Sequence, residues 1–238
     1  MLAAQAARQL ALDLPHAESF AREDFLEADC NANALALIEA WPDWASRSVA
    51  LVGPKGSGKS HLAAIWAETA GARFLAARAL AEADLAQSLA TGALVVEDLQ
   101  ANAFDERSLF HLLNLAREED AFLLLTSAVE PASLPVTIAD LGSRLRALPA
   151  VLLGAPDDDL LHAVLVKLFF DRQLQPDPGL ISFLLTRIER SLAGAKKAVA
   201  QLDSEALRLG RPVTRMLAAQ LFSTPNTSAG RFPGDMAG

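Results

Sequence analysis

Short apolar runs alternate with longer amphipathic stretches up to residue 153 of this chain. Such alternation is typical of strands and helices that follow one another in βα units around a parallel sheet. Strands are predicted at residues 48–52, 72–76, 93–97, 121–126 and 150–153. Helices are predicted at residues 61–69, 80–89, 105–119 and 132–148. The pattern predicts an α/β fold in which helices flank a five-stranded parallel sheet.

The pattern changes after residue 154, where the strands stop and only helical periodicity continues. Helices are predicted at residues 160–172, 179–187, 192–208 and 213–222, and three acidic residues, 157–159, precede the first of them, where a helix favours negative charge. We therefore predict an α/β domain over residues 20–154 and a small all-α domain over 155–222. Residues 1–19 are predicted to be a flexible N-terminal segment, and 223–238 a disordered tail.

Composition and charge narrow the class of protein. Of the 238 residues, 52% are hydrophobic and 21% charged, which is typical of a globular protein with a sizeable core. No apolar run approaches a membrane span, and the start lacks the features of a secretory signal. The single cysteine, Cys30, fits a reducing compartment, so we expect a cytoplasmic protein.

The net charge is −8, and no run of basic residues is longer than Lys196-Lys197. Proteins that bind nucleic acid neutralise several phosphates with a basic face. We therefore expect no direct, specific DNA binding and look for protein partners instead.

A phosphate-binding pattern, G-x-x-x-x-G-K-[ST], stands between the first predicted strand and the following helix, which is the context in which a P-loop works. The candidate phosphate-binding residues are Gly53, Pro54, Lys55, Gly56, Ser57, Gly58, Lys59, Ser60 and the adjacent His61. Lys59 is expected to contact the β- and γ-phosphates, and the Ser60 hydroxyl to ligate Mg²⁺. The sequence thus predicts that ADP or ATP binds with Mg²⁺.

A second predicted strand, at residues 93–97, ends in the carboxylates Glu97 and Asp98. Acidic side chains at the carboxyl end of a strand beside a P-loop can hold Mg²⁺ and orient water. We expect Glu97 to act as the metal ligand together with Ser60, and Asp98 to orient water. Thr126, at the end of the next predicted strand, is a candidate sensor of the bound nucleotide.

Together these motifs resemble the AAA+ module of the replication initiator DnaA. The segment 141–146 resembles the box that carries the arginine finger of AAA+ ATPases, and residues 185–203 occupy the position of the lid. Because the sequence ends soon after the lid, we expect no helix-turn-helix DNA-binding domain of the kind found in DnaA proteins. Phe20 and Phe25 lie where AAA+ proteins often build the adenine pocket, and core packing is the alternative for both.

The N-terminal segment resembles the short peptide with which bacterial proteins bind the sliding clamp of DNA polymerase III. Its candidate clamp-binding residues are Gln9, Leu10, Leu12 and Leu14. A few such anchors can carry most of the energy of binding to a small pocket. With the DnaA-like module, this segment is similar to the Hda family, the regulatory inactivators of DnaA.

The resemblance implies that the protein, bound to the DNA-loaded clamp, promotes hydrolysis of the ATP held by DnaA and so prevents repeated initiation. It implies Arg144 as the arginine finger, with Arg146 as the competing candidate. Contacts between identical AAA+ chains would also allow a homodimer.

Two departures from the family pattern concern nucleotide turnover. DnaA-like proteins usually carry Asp where this chain has Glu97, and Asp98 is shorter than the usual catalytic Glu. The family's sensor 2 arginine corresponds to Ala193, with Arg190, Lys196 or Lys197 as its candidate replacements. We therefore expect the chain to hydrolyse its own nucleotide slowly.

Two other functions compete with this hypothesis. A helicase loader of the related AAA+ clade would bind the replicative helicase and single-stranded DNA, which the acidic charge disfavours. A P-loop kinase for a small molecule would leave the N-terminal motif and the Ser143-Arg144 box unexplained.

Overall fold

The computed structural model describes residues 20–222. One compact unit comprises the described chain up to Leu160 together with Ser191–Ala193, and the other described residues form a second unit. The clamp-binding candidates Gln9, Leu10, Leu12 and Leu14 and the predicted tail lie outside the described residues.

A five-stranded parallel sheet organises the first unit, with the strand order β2-β3-β4-β1-β5. The strands are β1 Ser48–Val52, β2 Arg73–Ala76, β3 Ala93–Leu99, β4 Phe122–Ser127 and β5 Ala150–Leu152. The three central strands are almost wholly buried, because helices cover both faces of a parallel sheet. The edge strands β2 and β5 are short and partly exposed, which limits pairing with other chains.

Helices cover both faces of this sheet and form two hydrophobic clusters. They are α1 Ala32–Glu39, α2 Lys59–Ala70, α3 Leu85–Leu89, α4 Glu106–Glu118 and α5 Ala139–Ala147. Along β3, Leu94 and Val96 join the cluster that contains α4 and α5, whereas Ala93 and Val95 join the cluster of α1 and α2. The alternation follows from the two-residue period of a strand.

Four further helices follow the sheet in the chain. They are α6 Asp158–Asp171, α7 Leu180–Leu185, α8 Leu192–Leu209 and α9 Arg215–Leu221. No helix within residues 20–222 is long and apolar enough to cross a membrane. The observed architecture confirms the predicted α/β fold, in which helices flank a five-stranded parallel sheet and a small group of helices follows.

Two predicted helices begin well after the residue that the sequence pattern indicated. The stretch 80–89 forms a helix only from Leu85, because Asp84 caps its start by accepting a hydrogen bond from the Gln87 N–H at 2.9 Å. The stretch 132–148 is helical only from Ala139, and Pro135 disfavours helical backbone at the residue before it. Helix α1, whose Leu35 and Ile38 are buried, was not predicted from the sequence.

We predict that Leu124→Ala in β4 lowers the free energy of unfolding by about 2–5 kcal/mol, because the fully buried side chain leaves a cavity. The matched control is Leu152→Ala in β5, where the side chain is 59% exposed and the cost should stay within about 0.5 kcal/mol. All three tryptophans of the chain belong to this unit, so tryptophan fluorescence during urea unfolding reports on it. Equal losses in both variants would contradict the assignment of the core.

Candidate functional site

The P-loop leaves the carboxyl end of β1 and leads into α2, and three of its positions require glycine. A β-carbon on Gly53 would lie 2.6 Å from the carbonyl oxygen of Leu153. Gly56 and Gly58 have φ values of +77° and +105°, in the left-handed region that other residues rarely adopt. Gly58 is also the residue before the first turn of α2. The loop therefore curls around the N-terminus of a helix, an arrangement suited to anions.

Lys59, the first residue of α2, is buried and bonded to its own loop. Its Nζ donates hydrogen bonds to the carbonyl oxygens of Gly53 at 2.7 Å and Pro54 at 2.9 Å. Burial lowers the pKa of the Lys59 ammonium from its ordinary value of 10.5, and the negative charge of Asp98 acts in the opposite direction. A cationic donor is thus held at the centre of the loop.

Two serines of the loop differ in their surroundings. The Ser57 hydroxyl is buried and has no hydrogen-bond partner among the residues that the structure describes. Ser60, in the first turn of α2, is exposed. A buried hydroxyl without a partner costs free energy, and such groups in a native fold call for an explanation such as a ligand or water. The Ser57 hydroxyl can therefore take a ligand or a water as its partner.

The carboxyl ends of β3 and β4 are joined by side-chain hydrogen bonds. The Thr126 hydroxyl accepts a hydrogen bond from the Asp98 N–H at 3.0 Å, and the Ser127 hydroxyl donates to the Leu99 carbonyl at 2.8 Å. Both hydroxyls are buried, and the β3–β4 register shifts between Val96 and Leu99. Asp98 has a φ of +58°, a strained conformation that Asp tolerates better than most residues. Thr126 thereby fixes the backbone at Asp98.

The two carboxylates at the end of β3 have different environments. Glu97 is half-buried, whereas Asp98 is exposed and is the carboxylate whose charge acts on Lys59. No group of three or more His, Cys, Asp or Glu side chains able to hold a metal ion occurs in the described part of the chain. A cation at this edge would therefore need oxygen ligands beyond these carboxylates, such as a hydroxyl and phosphate oxygens.

His61 belongs to an aromatic cluster beside the P-loop. Its ring meets Phe20 and Phe25 edge-to-face, with centroid distances of 5.4 and 5.3 Å. Its Nε2 lies 3.1 Å from the Ala21 carbonyl oxygen, a geometry that suits the tautomer with the proton on Nε2. A β-carbon on Gly58 would lie 3.4 Å from the Phe25 ring. The cluster therefore ties the segment before α1 to the P-loop.

The short segment Ser191–Ala193 also contacts the P-loop. The Leu192 N–H donates a hydrogen bond to the Gly56 carbonyl at 3.0 Å. A β-carbon on Gly56 would lie 2.9 Å from that of Ser191 and 3.1 Å from that of Ala193. The position matched to the sensor 2 arginine thus carries a methyl group directly against the loop. The replacement of that arginine by Arg190, Lys196 or Lys197 stays a prediction.

The two candidate finger arginines lie on α5 in different settings. The Arg144 guanidinium lies over the Phe110 ring, with Cζ 5.3 Å from the ring centroid. Within residues 20–222, Arg144 has no carboxylate partner and no side-chain hydrogen bond. Arg146 instead donates from Nη2 to the Ser143 hydroxyl at 3.1 Å. Arg146 is the more exposed of the two, whereas no hydrogen bond within the described residues occupies the donors of the half-buried Arg144.

The role that one residue plays at the start of α5 was not predicted from the sequence. Glu106 accepts hydrogen bonds from Thr137 and Ile138, 31 and 32 residues further along the chain. In the sequence, Glu106 is an ordinary acidic residue in the first turn of a helix, and no local signal points to so distant a partner.

At the level of sequence, comparison with known proteins does not assign a family. No family model matches the chain. A Haemophilus influenzae protein described as uncharacterized is 29% identical over 180 residues, which cover 68% of this chain and 75% of that protein.

Several solved structures resemble this chain in fold. Domain III of DnaA from Thermotoga maritima superposes with a TM-score of 0.72 at 19% identity, over 86% of this chain and 95% of that domain. AMPPCP-bound DnaA from Aquifex aeolicus gives a TM-score of 0.63 at 18% identity, over 78% of this chain and 65% of that one. The branch-migration motor RuvB from Thermotoga maritima gives 0.66 at 15% identity, over 86% and 72%. The chain has the AAA+ fold of DnaA domain III.

We predict that Gly56→Ala destabilises the sheet unit more than Gly71→Ala does. Both glycines have positive φ, +77° and +63°, so both variants incur strain of about 1–3 kcal/mol. Only at Gly56 would the new methyl group also meet Ser191 and Ala193, whereas Gly71 has open space. Overpacking should add about 1–3 kcal/mol to the loss in unfolding free energy, measured by tryptophan fluorescence in urea. Equal losses would show that the contact with Ser191–Ala193 does not form in solution.

Proposed function

We propose that the P-loop binds ADP or ATP with Mg²⁺. Three features of the loop support this proposal: its two left-handed glycines, the buried Lys59 ammonium and the unpartnered Ser57 hydroxyl. Bound phosphate oxygens would give the Ser57 hydroxyl the partner that it lacks among the described residues, and would accept hydrogen bonds from Lys59 in place of a loop carbonyl. The likeness to a DnaA structure that contains AMPPCP points the same way.

In this proposal each residue has a separate task. Lys59 would donate to the phosphates in place of a loop carbonyl, and Ser60 and Glu97 would hold the metal. Asp98 orients water, and Thr126 fixes the Asp98 backbone through the hydrogen bond at 3.0 Å. Beside the loop, the exposed Phe20 ring would offer an aromatic surface to a base, whereas Phe25 is 5% exposed and packs in the core.

The chain's own hydrolysis is proposed to be slow. Asp98 is one methylene shorter than glutamate, and Ala193 supplies no guanidinium at the position where AAA+ proteins place sensor 2. Without that charge, a γ-phosphate receives less stabilisation in the transition state. The site would then serve mainly to hold a nucleotide.

We further propose that the chain acts on the ATP of another protein, the initiator DnaA, and so restrains replication. The observation that carries this proposal is the position of Arg144 on α5, with no hydrogen bond to its guanidinium within the described residues, in a fold shared with DnaA domain III. A guanidinium placed on a γ-phosphate stabilises the charge that spreads over it during transfer, an effect worth about 10³–10⁵ in rate. The hydrolysed ATP belongs to the partner, whose P-loop faces Arg144 in this arrangement.

The remaining partners follow from the same hypothesis. Gln9, Leu10, Leu12 and Leu14 are proposed to bind the sliding clamp of DNA polymerase III and to bring the chain to newly replicated DNA. A homodimer in which Arg144 meets a second copy's P-loop is the corresponding self-association. Both are contacts between proteins. The net charge of −8 favours such contacts over direct binding to DNA.

Nucleotide binding is tested by Lys59→Ala, with Arg117→Ala, a cation in the last turn of α4, as the control. Loss of the Lys59 ammonium removes charged hydrogen bonds, so affinity for ADP should fall by about 10–100-fold in calorimetric titration. Arg117 is exposed and lies outside the P-loop, so its removal should change affinity little. Tight ADP binding by Lys59→Ala would contradict the proposed site.

The action on DnaA is tested by Arg144→Ala, with Arg146→Ala as the control on the same helix. DnaA loaded with ATP is mixed with the chain and DNA-loaded clamp, and conversion to ADP is followed. Arg144→Ala should lose about 10³-fold of the stimulation, because the transition-state charge is no longer balanced. Arg146→Ala should keep most of it. Full stimulation by Arg144→Ala would rule out Arg144 as the finger, and loss in Arg146→Ala alone would transfer the role to Arg146.

A further inference from the structure

Glu106, at the start of α4, holds the N-terminus of α5 through its carboxylate. Its oxygens accept hydrogen bonds from the Thr137 N–H at 2.8 Å, the Thr137 hydroxyl at 3.0 Å and the Ile138 N–H at 2.9 Å. Ile138 is the residue that precedes the first turn of α5, and it has no capping side chain of its own. Glu106 therefore supplies the cap from a different helix.

A carboxylate is well matched to this position. The first N–H groups of a helix lack partners within the helix, and the positive end of its dipole favours an anion. The hydrogen bonds from the Thr137 and Ile138 N–H groups lower the pKa of the Glu106 carboxyl, so the group is ionised at neutral pH. The cap is thus a charged, multiply bonded contact between two helices.

The same face of α4 also contacts the other end of α5. Glu106 and Phe110 are four residues apart and so lie on one side of α4. Glu106 bonds to the backbone that begins α5, and the Phe110 ring lies beneath the guanidinium of Arg144. The distance along α5 from Ile138 to Arg144 is about 9 Å at 1.5 Å per residue. Two contacts so spaced fix both the position and the direction of the helix.

We infer that Glu106 is a positioning residue for Arg144: by capping α5 it sets where the guanidinium stands relative to a partner's phosphate. The inference rests on the proposed action on the ATP of DnaA. A misplacement of about 1 Å in a reacting group can cost on the order of 10²-fold in rate. Glu106 itself touches no nucleotide in this account and acts only through Arg144.

The test is a double-mutant cycle that combines Glu106→Ala with Arg144→Ala. The measured quantity is the rate of ATP hydrolysis on DnaA at saturating concentrations of the chain, with DNA-loaded clamp present. Glu106→Ala alone should lower this rate by about 10–100-fold. In the Arg144→Ala background the same change should have no further effect, because a residue that acts through Arg144 has nothing left to position. A purely structural role would lower the rate in both backgrounds.

The matched control is Glu118→Ala, an exposed glutamate of α4 that makes no hydrogen bond or ion pair within the described residues. It should leave the stimulated rate unchanged. Hydrogen exchange of the full chain supplies a readout that does not depend on DnaA. Glu106→Ala should speed exchange of the Thr137 and Ile138 amides, whereas Glu118→Ala should not.

A second variant, Glu106→Gln, guards against a general loss of folding. Its amide keeps one accepting oxygen but loses the charge, so the stimulated rate should lie between those of the wild type and Glu106→Ala. Stimulation that is lost in Arg144→Ala but unchanged in both Glu106 variants would overturn the inference alone. Absence of any stimulation by the unaltered chain would overturn the proposed function, and this inference with it.

Discussion

The candidate site depends on the hydrogen bonds that the buried Lys59 ammonium donates to its own loop. A charge removed from water must find strong partners, and here the carbonyl groups of Gly53 and Pro54 provide them. To point both carbonyls at one nitrogen, the loop must curl tightly. The curl in turn requires glycine at positions where a side chain would clash or where φ is positive. The glycines of the motif and the buried lysine therefore depend on each other.

The neighbouring strand ends follow from the packing of the sheet. Because β1, β3 and β4 are parallel and adjacent, their carboxyl ends meet at one edge and bring Asp98 and Thr126 to the side of the P-loop. The β3–β4 register shifts between Val96 and Leu99, and there the Asp98 N–H donates its hydrogen bond to the Thr126 hydroxyl. This hydrogen bond holds Asp98 in its strained conformation. Strain maintained at such a site is common where a side chain must face a ligand.

Much of this arrangement could be predicted from sequence, because the signals are local. The continuous apolar runs of β1, β3 and β4 predicted buried parallel strands, and the spacing of Gly53, Gly58 and Lys59 predicted the loop. Where helices begin was harder to predict, since Asp84 and Pro135 overrode the apolar periodicity around them. The cap that Glu106 places on α5 could not be predicted, since it joins residues more than thirty positions apart and depends on how two helices pack.

The most direct test of the account follows the fate of ATP bound to DnaA in a single turnover. DnaA is loaded with ATP labelled in the γ-phosphate, and this chain and DNA-loaded clamp are added separately and together. The account predicts that phosphate is released rapidly only when the chain and the loaded clamp are both present. A release rate that neither addition changes would contradict the claim that this AAA+ chain acts on the nucleotide of the initiator.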